Sequence, residues 1–220
     1  MIRGFPEADT EEIRRRLDHG EVLSFVGRLS ELQQKFPLEL GGLSAAEQAR
    51  YSRFRQPEDA WAFYAGRFLL REVLESLLSG RPLTIDLTEK GKPLCSQSGA
   101  PHFSLSHGGG WLLVSFCAEQ EIGVDVETSQ RKTATESLAR RYFSASEQKQ
   151  VRQGTPMDFY KIWTRKEARG KATGEGIRST NSERCTLETD WNYHEFQPDP
   201  QTLGVVAYPG ALRPHQLMKV

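Results

Sequence analysis

Twice along this chain, segments with helical hydrophobic spacing give way to segments that alternate like strands, with a seam near residues 118–122. A 3.6-residue period puts an apolar stripe on a helix, and a two-residue period puts an apolar face on a strand. The order therefore implies an α+β fold rather than a regular βαβ alternation. In the first cycle, residues 9–18 predict a short charged helix and residues 22–29 a strand. Gly41 and Gly42 interrupt the chain, and Ser44 with Glu47 forms a capping-box pattern for a helix through Arg53. Pro57 opens a longer helix on which Trp61, Tyr64, Phe68, Leu69, Leu74, Leu77 and Leu78 recur at helical spacing. Ser79 and Gly80 close it. A strand at 83–87, a turn at 89–93 and strands at 103–106 and 111–118 follow.

The second cycle starts with a strand at 122–127 and a helix at 135–142. Ser144 and Glu147 form another capping box, and a further helix runs over 157–173 into the glycine-rich 174–176. Segments 185–191, 193–198 and 203–209 alternate like an antiparallel sheet edge. We expect two similar α+β subdomains, 1–118 and 119–220, with a single α+β domain as the alternative. Either can bury a substantial core at 220 residues.

The chain has 29 Lys plus Arg and 29 Asp plus Glu, a formal charge of zero. That excludes nucleic acid or an anionic membrane as a partner bound through bulk positive charge. Cys95, Cys117 and Cys185 form no CxxC pair, so neither a disulfide framework nor a zinc site is expected. The first 20 residues hold no signal-like apolar stretch, and the longest apolar run, 111–118, is far shorter than a bilayer span. A cytoplasmic protein is expected.

The charges are nevertheless segregated. Glu119, Glu121, Asp125 and Glu127 gather within 119–127 without a base. Lys161, Arg165, Lys166, Arg169 and Lys171 gather within 161–171 beside Glu167 alone, and Arg50, Arg53, Arg55, Arg67 and Arg71 dominate 50–71. Read alone, each run is a solvated face. On a strand Asp125 and Glu127 share one face while Val124 and Val126 point to the core, and paired carboxylates call for a cation or a proton between them. On a helix Trp163, Glu167 and Lys171 lie along one stripe, where Glu167 and Lys171 could simply pair with each other. Gly170, costly inside a helix by about 1 kcal/mol, predicts close approach of a backbone or a ligand. Gly108, Gly109 and Gly110, beside Ser106 and His107, fit either a phosphate-binding nest or a hairpin turn. Lys92 sits at a turn tip before Pro93.

Taken in order, GKP (91–93), FSLSHGGGW (103–111), IGVDVE (122–127), FSASE (143–147) and WTRKEARGKATGEGI (163–177) resemble the 4′-phosphopantetheinyl transferases of the larger, pseudodimeric type. A weaker likeness reaches back to Leu43. The resemblance implies a holo-[carrier protein] synthase built as a monomer with its site at the seam between the halves. It would move the phosphopantetheine arm of coenzyme A to a serine of an apo acyl, peptidyl or aryl carrier protein. It implies Mg²⁺, with Mn²⁺ as an alternative, held by Asp125, Glu127 and Glu167. It places Gly91, Lys92, Pro93, Ser106 and His107 against coenzyme A, and Lys171 on the pyrophosphate. Glu167 would take the serine proton, while Lys171, His107 and Lys166 would offset charge on the leaving group. Glu47 stands where some members carry a lysine; Arg50 fits the second basic position, and Arg67 is the candidate to compensate. The competing readings are another Mg²⁺-dependent phosphoryl or nucleotidyl transferase, which lacks a phosphate-loop motif here, and a catalytically inert module binding coenzyme A or a carrier protein.

Overall fold

A computed structural model describes residues 10–78, 83–130, 134–180, 190–211 and 213–220. Ser79, Gly80 and Cys185, with most of the strand expected at 185–191, lie outside the described residues. The chain runs α1 (Thr10–Asp18), β1 (Val22–Arg28), α2 (Leu29–Lys35), α3 (Ala45–Tyr51), α4 (Pro57–Leu77), β2 (Ile85–Leu87), β3 (Pro93–Cys95), β4 (His102–Gly108) and β5 (Trp111–Cys117). It continues through β6 (Gly123–Thr128), α5 (Thr135–Tyr142), α6 (Ala145–Gln153), α7 (Pro156–Thr173), β7 (Trp191–Asp199), β8 (Thr202–Pro209) and β9 (His215–Lys219). Helices and sheets thus mix as an α+β fold.

One sheet has the order β4-β5-β1-β9 and another the order β6-β8-β7; β2 and β3 form a small hairpin. Every residue of β5 is buried, because the first sheet is covered on both faces. Leu112, Val114 and Phe116 join the core under α4, packed with Tyr64, Leu69 and Leu70. Leu113 and Cys117 face the other way, clustering with Val124, Val126, Val206 and Tyr208 of the second sheet. Val124 and Val126 therefore point inward as the alternation predicts. Each such side chain contributes about 1.5–3 kcal/mol by leaving water.

Both capping boxes form. The Ser44 N–H donates to Glu47 Oε2 at 2.9 Å, and the Ser144 N–H donates to Glu147 Oε2 at 2.7 Å. Two elements go beyond the sequence expectation. The chain turns helical at Leu29, directly after β1, with Leu32 and Phe36 buried. The last strand, β9, pairs in parallel with β1, bringing His215 opposite Val22. A division at 118/119 therefore does not follow the sheets, since the C-terminal strand returns to the first one. Its short, partly charged sequence carries little alternation, and β1 supplies the pairing.

Small residues let the two sheets meet. The Val124 N–H donates to Ser104 Oγ at 3.1 Å, and a Cβ on Gly108 would sit 2.2 Å from Val126 O. On the other side of β6, a Cβ on Gly123 would lie 1.9 Å from Ala168 O, so α7 rests directly on the strand. Among the described residues, no helix is long and apolar enough to cross a membrane.

Candidate active site

The contact of β4, β6 and α7 opens a cavity of about 590 Å³, lined also by α4 and the turn before β3. Asp125 lines it and is only 4% exposed. Ser106 Oγ donates to Asp125 Oδ1 at 2.9 Å, and Lys171 Nζ donates to both Asp125 Oδ1 and Ser106 Oγ at 2.7 Å. Lys171 therefore pairs across to the strand, not with Glu167 on its own helix. Asp125 Oδ2 is buried without a hydrogen-bond partner. Such an oxygen is costly unless a ligand answers it.

The stripe of α7 runs along the carboxylate face of β6. Trp163 Nε1 donates to Glu127 Oε1 at 3.2 Å at one end, and Lys171 meets Asp125 at the other. Glu167 lies between them in sequence and lines the same cavity. Burial, reinforced by the Asp125 charge and opposed by Lys171, raises the Glu167 pKa above 4.5. His107, also on the cavity wall, is pushed below 6.5 mainly by desolvation, with Lys171 adding to the effect. Gly170 is explained by a backbone: a Cβ there would lie 2.5 Å from the Gly176 carbonyl carbon.

Three carboxylates on one cavity, one with an orphaned buried oxygen and one pushed toward its neutral form, suit a hard divalent cation. Among the described residues, no three His, Cys, Asp or Glu side chains gather closely enough to hold an ion by themselves. Mg²⁺ fits such a donor set, since it binds through one or two carboxylates and keeps water or phosphate oxygens.

A basic wall comes from α3 and α4. Arg67 is 4% exposed and lies 3.2 Å from Glu47 Oε1, while Arg71 donates to Glu47 Oε2 at 2.6 Å. Arg67 Nε and Nη1 are buried without a hydrogen-bond partner. Desolvation lowers the Arg67 pKa, partly offset by Glu47. Glu47 goes the other way: its burial penalty is outweighed by the Ser44 N–H and the arginines, so its pKa falls. Arg50 and Arg67 both stand over the Phe63 ring, at 5.2 and 5.4 Å. Thus Glu47, in place of a cation, holds cations.

Other expected residues lie differently. Gly91, Lys92 and Pro93 line the cavity, but the Lys92 ammonium donates to Glu121, to Ala172 O at 2.8 Å and to Ile122 O at 3.3 Å. That braces the turn against the end of α7. Lys166 does not line the cavity: it is 1% exposed, with Nζ 3.0 Å from Glu147 Oε2. It follows a helical register that turns it away from Glu167. The glycine triplet is a hairpin: Gly109 and Gly110, at φ 59° and 80°, make the two-residue turn between β4 and β5, and none of the three lines the cavity. Sequence reasoning missed Lys90 and Phe63 on the wall and the Trp163 contact to Glu127, although Trp163 shares the α7 stripe.

Comparison with known proteins identifies the family. Residues 121–202 match the model of the 4′-phosphopantetheinyl transferase superfamily, and residues 30–119 match that of the N-terminal part of a 4′-phosphopantetheinyl transferase. The chain is 34% identical to 4′-phosphopantetheinyl transferase HetI of Nostoc sp. (strain PCC 7120), over 76% of this chain and 79% of that protein. It is 31% identical to AcpT of Salmonella typhimurium, over 72% of this chain and 82% of that protein. With Sfp of Bacillus subtilis (strain 168) it shares 29% identity over 61% of this chain and 62% of that protein. The chain belongs to the 4′-phosphopantetheinyl transferase superfamily and is an enzyme of that family.

Proposed function

We propose that this enzyme transfers the phosphopantetheine arm of coenzyme A to a serine of an apo acyl, peptidyl or aryl carrier protein, with Mg²⁺ as its metal. Adenosine 3′,5′-bisphosphate is the released product. The observation that carries the reading is Asp125: a buried carboxylate with one oxygen held by Ser106 and Lys171 and the other without a partner, on a cavity that also has a basic wall. Asp125, Glu127 and Glu167 would hold Mg²⁺, which neutralises pyrophosphate charge when bound.

The chain's own groups then divide the work. Arg50 and Arg67 bind phosphate, and the 91–93 turn walls the cavity. The serine oxygen bonds to the β-phosphorus as the bond to the bridging oxygen breaks, and the leaving group keeps that electron pair. Lys171, as an ammonium, and His107, as an imidazole N–H donor, stabilise the charge that develops. Glu167, on the cavity wall, accepts the serine proton. We also propose a monomer with two α+β halves, 1–118 and 119–220, the last strand returning to the first half; one chain supplies every proposed group.

The test is incubation with coenzyme A, Mg²⁺ and an apo carrier protein, followed by intact mass. The expected result is one added phosphopantetheine per carrier. Tight coenzyme A binding without a mass shift on any of several carriers would overturn the reading.

A further inference from the structure

The α7 stripe contains one residue with no part in the proposed chemistry. Trp163 lies four residues before Glu167 and eight before Lys171, so all share one face. Its ring stacks on Phe159, with centroids 5.8 Å apart and planes at 16°, and meets Tyr142 of α5 edge-on at 5.8 Å and 76°. Aromatic contacts on two sides leave the indole little freedom to rotate. Its polar edge points to β6, where Nε1 donates to Glu127 Oε1 at 3.2 Å.

We infer that Trp163 is a positioning residue that orients the Glu127 carboxylate for the divalent cation. The proposal rests on the Mg²⁺ reading above and deepens it. The two carboxylates of β6 would then be aimed by the same means. Asp125 takes a hydroxyl and an ammonium on one oxygen, and Glu127 takes an indole N–H on one oxygen. A glutamate has three side-chain torsions, so an unsupported one must be ordered when the ion arrives. A rigid aromatic donor orders it beforehand. An N–H also adds partial positive charge beside a carboxylate that shares its strand face with Asp125, easing their repulsion while no cation is bound. Outer partners of this kind are typically worth about 10–100-fold in metal affinity. The single neutral, half-buried contact here belongs at the low end.

The test uses the full chain with coenzyme A present and Mn²⁺ as a paramagnetic probe, its binding read by water-proton relaxation. Trp163→Phe keeps the stacked ring and loses the donor. We expect about tenfold weaker Mn²⁺ binding with the melting temperature almost unchanged. Trp163→His, which restores an N–H, is expected to recover part of the affinity. Adding Trp163→Phe to Glu127→Gln is expected to cost nothing further, because the carboxylate it orients is gone. Wild-type Mn²⁺ affinity in Trp163→Phe, with weakened binding in Glu127→Gln, would overturn the positioning role and leave the metal site standing. Wild-type affinity in Glu127→Gln would overturn the metal reading itself. Equal losses in Trp163→Phe and Trp163→His, with a lowered melting temperature in both, would mark Trp163 as packing alone and also overturn the proposal.

Discussion

In α4, Arg67 sits beneath the Ser44–Glu47 cap, 3.2 Å from Glu47 Oε1; in α7, Lys166 sits beneath the Ser144–Glu147 cap, 3.0 Å from Glu147 Oε2. Each helix opens at a proline, Pro57 or Pro156, and each buried cation comes ten residues later. The same arrangement thus occurs at both helices, and the differences separate scaffold from site. Lys166 is a compact charge that meets the Glu147 carboxylate and stands over the Phe143 ring. Arg67 presents a fork of N–H groups that Glu47, shared with Arg71, does not satisfy: Nε meets it only as an ion pair, Nη1 has no hydrogen-bond partner, and the side chain is on the cavity wall. The next residue differs too. Phe68 packs on Phe36 at 4.9 Å, whereas Glu167 borders the cavity. At this position α4 carries aromatic packing and α7 carries a carboxylate.

The largest expected effect tests the scaffold side. Glu147→Ala removes the carboxylate 3.0 Å from the buried Lys166 ammonium, and should lower stability by about 3–5 kcal/mol in urea unfolding. Adding Lys166→Met should recover most of that loss. A loss under about 1 kcal/mol in the single variant would mean the pair is effectively solvated. The second test concerns ligand. Arg67→Ala should weaken coenzyme A binding about tenfold, roughly 1.4 kcal/mol, by calorimetric titration, and Lys166→Met should leave it unchanged. Equal losses would erase the distinction between the two cations.

These contrasts were only partly readable from sequence. The caps were, because a capping box is local: Ser and Glu three residues apart need no knowledge of the fold. So was the shared face of Asp125 and Glu127, which follows from the strand period. The destinations of Lys92 and Lys166 were not. Adjacent basic residues on a helix point to different neighbours, and whether an ammonium meets a phosphate or a buried glutamate depends on distant chain. Gly108 to Gly110 illustrates a second obstacle, since a nest and a two-residue hairpin ask for the same residues. β9 shows a third: an edge strand takes its pairing from the strand beside it.

Two smaller effects use pH. Glu47 has its folded pKa below 4.5, so its ionised form contributes stability above that value and loses it as pH falls through the lowered one. Glu47→Gln should therefore lose less stability than the wild type on acidification, starting from a lower level. His215 is the opposite type of group. Burial, with His194 stacked 4.5 Å away, lowers its pKa from 6.5 to about 4. The unfolded chain then binds this proton first, so stability declines as pH drops from 6.5 toward about 4. His215→Gln should flatten that decline in pH-dependent thermal melts.

The most direct measurement of the central claim compares wild type with Asp125→Ala in the carrier-protein assay, with folding checked by circular dichroism. The wild type should be fully modified in coenzyme A and Mg²⁺, and a folded Asp125→Ala protein should add no mass to the carrier. Near-normal transfer by that variant, still fully dependent on Mg²⁺, would contradict that claim.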